Sequence, residues 1–350
     1  MRPTSRPDSV CRDRRRVLTG LAAASAAASL PGTSWAQAPA ATPHRIDVHH
    51  HISPPRYLSS IIDKKAGEKP TLDWTIEKSL DDMDKGGVAT SVTSITYPGI
   101  WFGDAAQARD LARHCNDYAA KLRSDYPGRF GIFASLPLPD VDGSLKEIEY
   151  ALDTLKADGI GVMTSFGDKY LGHPSFEPVW AELNRRKAVV YTHPTLANCC
   201  VNVQPDVPFS VIEFAVDTTR CIADLVFSGT ASKYPDVKFI FSHAGGTMPF
   251  IEERFTRMPL LRRDVLAKLP HGVEYELKKF HYDVAQASHP MALAALTRLV
   301  ATSQILFGTD FPYRTSADHA RLLKEFGFNA ADLQAIERDN ALKLLPTLKA

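Results

Sequence analysis

The sequence has few cysteines, almost no net charge and no long apolar segment beyond its N-terminal region. Five cysteines occur in 350 residues, none of them in a CxxC pair, which argues against a structural zinc cluster. The net charge of +1 argues against a nucleic-acid-binding surface. After the first forty residues or so no apolar run is long enough to cross a membrane. The remaining class is a globular protein, and 44% hydrophobic residues suffice for a large core.

The N-terminal region is typical of an export signal. Arg14-Arg15-Arg16-Val17-Leu18 fits a twin-arginine pattern, and the alanine-rich stretch from Leu18 to Leu30 has the length of a signal-peptide core. Cleavage is expected after Ala36, which ends a small-x-small triplet. A disordered or organelle-targeting N-terminus is the alternative. We predict a signal peptide over residues 1–36, a linker over 37–43, a folded domain over 44–350 and periplasmic localisation.

Four cysteines would remain after removal of the signal peptide: Cys115, Cys199, Cys200 and Cys221. An exported protein can form disulfides, but spacing alone cannot pair these four. Buried thiols are the default expectation. Cys199 and Cys200 follow a candidate metal ligand by a few residues.

One pattern recurs eight times after His44: a short β-branched or aromatic run, a polar loop and an amphipathic stretch. A helix is predicted over Ala105–Tyr126, and Ser144 with Glu147 forms a capping box for another. Eight such units in roughly 310 residues predict an α/β fold, a (β/α)₈ barrel. A doubly wound open sheet is the competitor, although no glycine-rich phosphate loop follows the first strand. The predicted strands are Arg45–His49, Val88–Ile95, Phe130–Ala134, Ile160–Thr164, Val189–Thr192, Phe239–Ser242, Phe280–Val284 and Ile305–Gly308.

The first strand runs into three consecutive histidines. Because strand side chains alternate, His49 and His51 share one face with Asp47, and His50 points to the other. Two imidazoles at a strand end can hold one metal ion, although this pattern by itself is more often a surface histidine run.

Three further predicted strands end in Thr192-His193-Pro194, Ser242-His243-Ala244-Gly245-Gly246 and Gly308-Thr309-Asp310-Phe311-Pro312. In a barrel these ends meet at one face, where catalytic groups belong. His49, His51, His193 and Asp310 then supply three nitrogens and one oxygen, a set that suits Zn²⁺ and also Mn²⁺ or Fe²⁺. The fourth strand ends without a lysine that would bridge a second ion, so one metal ion is predicted.

These motifs resemble the amidohydrolase superfamily, in the branch of aminocarboxymuconate-semialdehyde decarboxylase, over about residues 44 to 345. Tyr150–Gly159, Tyr170–His173 and Phe176–Trp180 are most similar to the 6-methylsalicylate decarboxylases. The resemblance implies a (β/α)₈ barrel of the metal-dependent hydrolase type and decarboxylation at a single divalent metal, with His243 as the acid/base. It also implies that Arg254 meets the substrate carboxylate, in some members from a neighbouring subunit, and hence a homodimer.

The chain departs from that branch in one respect. The decarboxylase that names the branch has a substrate-binding arginine after the first strand, but this chain has no arginine between Arg56 and Arg109. A substrate other than that dicarboxylic semialdehyde is therefore expected.

The expected reaction is loss of CO₂ from a small aromatic hydroxy acid. The metal would hold a carboxylate or ortho-hydroxyl oxygen and stabilise negative charge. Protonation of the carboxylate-bearing carbon, by Asp310 or by water relayed through His243, would precede the loss of CO₂. Aromatic residues after the strands offer a substrate wall, and ordinary core packing is the alternative for each: Tyr97, Trp101, Phe102, Phe166, Phe250 and Phe311. Trp101, Phe166 and Phe311, with Arg254, are the predicted substrate contacts.

Two other functions use the same residues. A hydrolase would generate a metal-bound hydroxide, with Asp310 as base, to open a lactone, ester or amide. A metal-holding or solute-binding protein without turnover would need the four ligands but not His243.

Overall fold

Eight parallel strands form a barrel in the computed structural model, which describes residues 43–201, 203 and 206–349. The barrel strands are β1 (Arg45–His51), β2 (Val88–Ser94), β3 (Phe130–Ser135), β4 (Gly159–Met163), β7 (Val189–His193), β8 (Lys238–Phe241), β9 (His281–Asp283) and β10 (Ile305–Leu306). Their order around the sheet follows the chain. Two short antiparallel strands, β5 (Ser165–Phe166) and β6 (Lys169–Tyr170), form a separate hairpin after β4. The barrel prediction is confirmed; the predicted signal peptide and nearly all of the linker lie outside the described residues.

The last strand closes the barrel against the first. The backbone N–H of Val48 donates to the carbonyl of Phe307 at 3.0 Å, and that of Asp310 donates to the carbonyl of His49 at 2.8 Å. His50 and Phe311 form a parallel bridge just beyond. Asp310 is thereby placed beside the first strand, although 261 residues separate it from His49 along the chain.

The helices cover the barrel between successive strands. They are α1 (Pro55–Asp63), α2 (Lys69–Leu72), α3 (Ile76–Gly86), α4 (Ala105–Asp125), α5 (Val141–Glu149), α6 (Glu177–Arg185), α7 (Phe209–Phe227), α8 (Thr230–Lys233), α9 (Glu252–Thr256), α10 (Met258–Leu261), α11 (Val273–Lys279), α12 (Pro290–Leu299), α13 (Ser316–Phe326), α14 (Ala330–Gln334) and α15 (Asn340–Leu344). Within the described residues none of them is long and apolar enough to cross a membrane.

The predicted capping box at Ser144 is wrong. Helix α5 begins three residues before it, and the side chain of Asp140 accepts the N–H of Gly143 as the cap. Glu147 instead accepts hydrogen bonds from Arg113 and Asn116 on α4. Ser144 and Glu147 have the spacing of a capping box, but Glu147 makes its hydrogen bonds to α4 and not to the N-terminus of its own helix.

Two apolar clusters hold the fold together. The larger one lies between strands and helices and includes Tyr57, Trp180 and Phe239, which are almost fully buried. The smaller one is built mostly from strand residues, as expected for the inside of a barrel; Ala341 and Leu345 of the C-terminal region complete it. Its strand members are Ile46, Val48, Val92, Phe133, Val189, Tyr191, Ile240 and Leu306.

His319 predicts a pH dependence of stability. Burial lowers the pKa of this imidazole to about 4, whereas an unfolded chain has the ordinary value near 6.5. The unfolded state therefore binds the proton first, so stability is complete above pH 6.5 and decreases as the pH falls toward 4. We expect the free energy of unfolding to decrease by up to about 3 kcal/mol from this residue.

Urea unfolding of the wild type and of His319→Gln between pH 7.5 and 4.5 measures this contribution. The wild type should lose more stability than the variant over that interval. Parallel pH profiles for the two proteins would contradict the prediction.

Candidate active site

Four side chains from the ends of three strands, β1, β7 and β10, converge at the carboxyl face of the barrel. The Nε2 atoms of His49 and His51 lie 3.0 Å apart, and each lies within 3.1 Å of Asp310 Oδ1. His193 Nε2 lies 3.9 Å from the same oxygen. All four ligand atoms fall within 4.8 Å of one another, and all four residues are buried. Three imidazole nitrogens and a carboxylate oxygen facing a common point fit one divalent cation, as predicted from the strand ends.

The carboxylate of Asp310 has two sides. Its Oδ1 faces the three ligand histidines, while its Oδ2 lies 3.3 Å from His243 Nε2 and accepts a hydrogen bond from Gln286 Nε2 at 3.1 Å. His243 is thus next to the ligand set without belonging to it. Its side chain is about 10% exposed and faces the cavity described below.

Outer hydrogen bonds fix the ligand imidazoles. Asp283, at the end of β9, accepts the Nδ1–H of His49 at 2.9 Å and the backbone N–H of His243 at 3.1 Å. His51 Nδ1 lies 3.1 Å from Ser94 Oγ, and His193 Nδ1 donates to the carbonyl of Pro194 at 2.9 Å. Each ligand therefore presents Nε2 to the metal site. Sequence reasoning missed Asp283, although it is the second-last residue of the seventh predicted strand, Phe280–Val284, and ends the observed β9.

The charges around the cluster determine the pKa values. Burial lowers the pKa of His51 to about 4 and of His193 to about 3, so both imidazoles are neutral. Burial alone would also lower the pKa of His49, but the carboxylates of Asp283 and Asp310 raise it to about 10. Burial works against ionised Asp310, yet the charge of His49 at 3.1 Å and the hydrogen bond with His243 hold its pKa well below the usual range. A cation would displace the proton of His49, since a ligand imidazole must be neutral.

Left-handed backbone conformations concentrate at this site. His243, Ala244, Gln286 and Asp310 have φ values between 53° and 62° without being glycine. Such residues are uncommon and cluster at functional sites, where the surrounding structure holds them. The backbone of Gly308 passes close to two residues of the site. A Cβ atom at this position would lie 3.0 Å from the Cβ atoms of His49 and Asp283.

A cavity of about 520 Å³ opens in front of the cluster. A volume of this size suits a small organic ligand. Within the described residues, no lysine or arginine lines it. The lining residues are Glu68, His193, Ser210, Val211, Phe214, Ala215, His243, Gly246, Gln286, Ala287, His289, Ala292, Asp310 and Tyr313.

The predicted substrate contacts are not all brought to this cavity. Trp101 and Phe166 line a neighbouring cavity of about 340 Å³, together with Thr195 after β7. The expectation for Phe311 is corrected: its ring stacks on His50 with a centroid distance of 4.8 Å, on the side of β1 away from the cluster. Arg254 is exposed and does not line the main cavity, so its role stays a prediction.

The side chain of Asp47 does not follow the alternation of strand faces that was predicted for β1. The pairing of β1 with β2 shifts register between Asp47 and His50, and the Asp47 carboxylate contacts His50 Nδ1 at 3.2 Å. It accepts the hydroxyl of Thr309 at 2.7 Å as well. Asp47 therefore ties the first strand to the residue that precedes Asp310, and does not lie behind the ligand pair.

The four cysteines divide into two kinds. Cys115 and Cys221 are buried, as expected for structural thiols. Cys199 is exposed and Cys200 partly exposed, and their Sγ atoms lie 2.7 Å apart in the loop after β7. The expectation of buried thiols thus holds for two of the four.

Comparison with known proteins gives a consistent family. The family model described as amidohydrolase matches residues 46–347. The chain is 38% identical over 319 residues to the 6-methylsalicylic acid decarboxylase of Penicillium expansum, covering 87% of this chain and 97% of that protein. It is also 38% identical over 324 residues to decarboxylase yanB of Aspergillus niger, covering 86% of this chain and 87% of that protein.

Among solved structures, the dihydroxybenzoic acid decarboxylase from Polaromonas, with bound manganese and an inhibitor, has a similar fold. Its TM-score is 0.75 at 21% identity, over 88% of this chain and 98% of that one. At this identity the likeness concerns the fold.

Proposed function

The chain belongs to the amidohydrolase family, and on that premise we propose that it catalyses the non-oxidative decarboxylation of a small aromatic hydroxy acid. It is a metal-dependent carboxy-lyase, as its decarboxylase relatives indicate. The observation that carries the proposal is the position of His243, beside Asp310 Oδ2 and facing the cavity, next to a complete set of four ligands.

The residues of the site have different roles in the proposed reaction. Decarboxylation exchanges CO₂ for a proton on the ring carbon, so the protein must deliver one proton where the carboxylate was attached. His243 and Asp310 Oδ2, 3.3 Å apart, can hold and pass that proton at the cavity wall. Gln286 donates to the same oxygen and keeps it oriented. The cation, when bound, would supply positive charge for the substrate's oxygen atoms.

An ortho-hydroxy benzoic acid is the proposed substrate class, with 6-methylsalicylate as the first candidate. This rests on the 38% identity to the Penicillium expansum enzyme over nearly its whole length. A cavity of about 520 Å³ with Val211, Phe214 and Ala292 in its wall offers an apolar surface for a ring.

We propose Zn²⁺ as the bound metal, because three imidazoles and one carboxylate suit it. Mn²⁺ is the alternative, and the Polaromonas decarboxylase holds manganese. Metal analysis of the purified protein distinguishes the two.

We also propose a homodimer that works in the periplasm after twin-arginine export and cleavage near Ala36. Arg254 would meet the substrate of the neighbouring copy, and Phe250, Leu260 and Leu261 near it are 75–88% exposed. Sedimentation of the purified protein tests the dimer, and N-terminal sequencing of the exported protein tests the cleavage site.

The decisive experiment pairs metal analysis with CO₂ release from a panel of hydroxybenzoates that includes 6-methylsalicylate. One equivalent of metal with CO₂ from an ortho-hydroxy acid supports the proposal. One equivalent without CO₂ from any acid overturns it and directs attention to lactones and esters. Two equivalents, or none, would contradict the ligand assignment.

A further inference from the structure

Glu68 is a charged group of the cavity that the decarboxylation chemistry does not use. It lines the same cavity as His193, His243 and Asp310, yet it comes from the segment between α1 and α2. It precedes α2 directly, but its side chain does not cap that helix. Within the described part of the chain it forms no ion pair.

The surroundings of Glu68 connect it to the metal cluster. Tyr313 also lines the cavity, and its ring centroid lies 6.3 Å from that of His51. The Tyr313 hydroxyl lies 2.6 Å from Thr71 Oγ1. Burial raises the pKa of Glu68, a hydrogen bond with Tyr313 opposes this, and the Asp310 carboxylate adds to the increase. Glu68 is therefore a half-buried carboxyl group on the wall of the cavity that the metal cluster borders.

The charges in and around the cavity indicate which group of a bound ligand can donate a hydrogen bond to Glu68. Counted over the metal and its ligands alone, a divalent cation with one aspartate and three neutral histidines carries one net positive charge, which attracts one substrate carboxylate. Within one copy of the chain, no described lysine or arginine lines the cavity, and the Arg254 that a neighbouring copy would supply is already assigned to the first carboxylate. An ionised Glu68 repels a second carboxylate, whereas a phenolic hydroxyl can donate to it.

We propose that Glu68 is a specificity-determining residue: it accepts a hydrogen bond from a ring hydroxyl of the bound aromatic acid, and it excludes acids with a second carboxylate. The proposal rests on the proposed function for the identity of the ligand class. Under this proposal Glu68 distinguishes a hydroxybenzoate from benzoate and from a dicarboxylate, in a cavity that one copy of the chain lines without lysine or arginine among its described residues.

Ligand binding to a variant with little turnover tests the proposal separately from catalysis. Dissociation constants for benzoate, its 2-, 3- and 4-hydroxy derivatives and isophthalate are measured by calorimetry on metal-loaded His243→Asn, in which turnover should be minimal. The same constants are then measured on two double variants, in which His243→Asn is combined with Glu68→Leu or with Glu68→Gln. Glu149→Leu, which removes an exposed glutamate at the end of α5, is the matched control.

With Glu68 present, at least one hydroxybenzoate should bind about tenfold or more tighter than benzoate, as expected for a hydrogen bond to a charged group. Glu68→Leu should remove that advantage and leave benzoate affinity within about threefold. Glu68→Gln keeps an acceptor, so it should retain part of the advantage while isophthalate binds more tightly. Glu149→Leu should change none of these ratios.

An unchanged ratio of hydroxybenzoate to benzoate affinity in Glu68→Leu, for all three isomers, would overturn the proposal. A uniform loss of affinity for every acid would overturn it too, because Glu68 would then support the site as a whole. Failure of the proposed function is separate: it is the absence of CO₂ release by the wild type, whatever the binding ratios are.

Discussion

Replacing His243 by asparagine should lower the rate of CO₂ release by about 10²- to 10⁴-fold, the usual worth of a positioned acid/base group. The metal content should not change. The imidazole lies on the Oδ2 side of Asp310, whereas the ligand atoms meet at Oδ1. Removing it takes away the proton carrier and leaves all four ligands in place. Single-turnover CO₂ release and metal analysis on the same preparation measure both quantities.

The control for this prediction is His271→Asn, which removes an exposed histidine outside the cavity. It should match the wild type in both measurements. Metal lost together with activity in His243→Asn would make His243 a ligand. Full activity with metal bound would remove it from the reaction and favour Asp310 as the proton donor.

Replacing His51 by alanine should lower metal affinity by more than about 100-fold, the upper end of the loss seen when an outer partner of a ligand is removed. Its Nε2 lies 3.0 Å from both His49 Nε2 and Asp310 Oδ1, at the centre of the cluster. Without it two imidazoles and one carboxylate remain, and activity at limiting metal should disappear with the metal. Competition against a chromophoric chelator measures the affinity.

His50→Ala is the matched control, one residue earlier in the same strand. His50 packs against Phe311 and contacts Ser79 Oγ at 2.9 Å, away from the cluster. We expect this variant to keep its metal and to lose thermal stability, because a buried side chain with hydrogen bonds is removed. Equal loss of metal in both variants would show that the histidine run acts through strand stability and not through ligation.

The metal ligands were predictable because the barrel converts sequence position into spatial position. Four of the eight predicted strands end at or just before a histidine or aspartate, and parallel strands bring those ends to one rim. His193 and Asp310 could therefore be joined to His49 and His51 across 144 and 259 residues without any contact information. The relation needs only the strand count and the direction of the strands.

Other features of the site were not predictable from pattern. The pairing of β1 shifts register between Asp47 and His50, and the Asp47 carboxylate contacts His50; the alternation of strand side chains predicts neither. Phe311 directly follows the ligand Asp310. The backbone at Asp310 is left-handed, and the Phe311 ring packs against His50 on the outer side of β1. Trp101 and Phe166 were predicted as substrate contacts, and the structure places both in a neighbouring cavity.

The sequence by itself determined the barrel, the four metal ligands and the presence of His243 at a strand end, because these depend on period-two alternation and on the common rim of parallel strands. Only the tertiary structure decided which oxygen of Asp310 faces His243, that Asp283 orients His49, and that Glu68 borders the cavity. Those facts depend on loop paths and on distances of about 3 Å between side chains far apart in the chain. Alternation and propensity describe the direction of a residue within its own strand, and they carry no information about such distances.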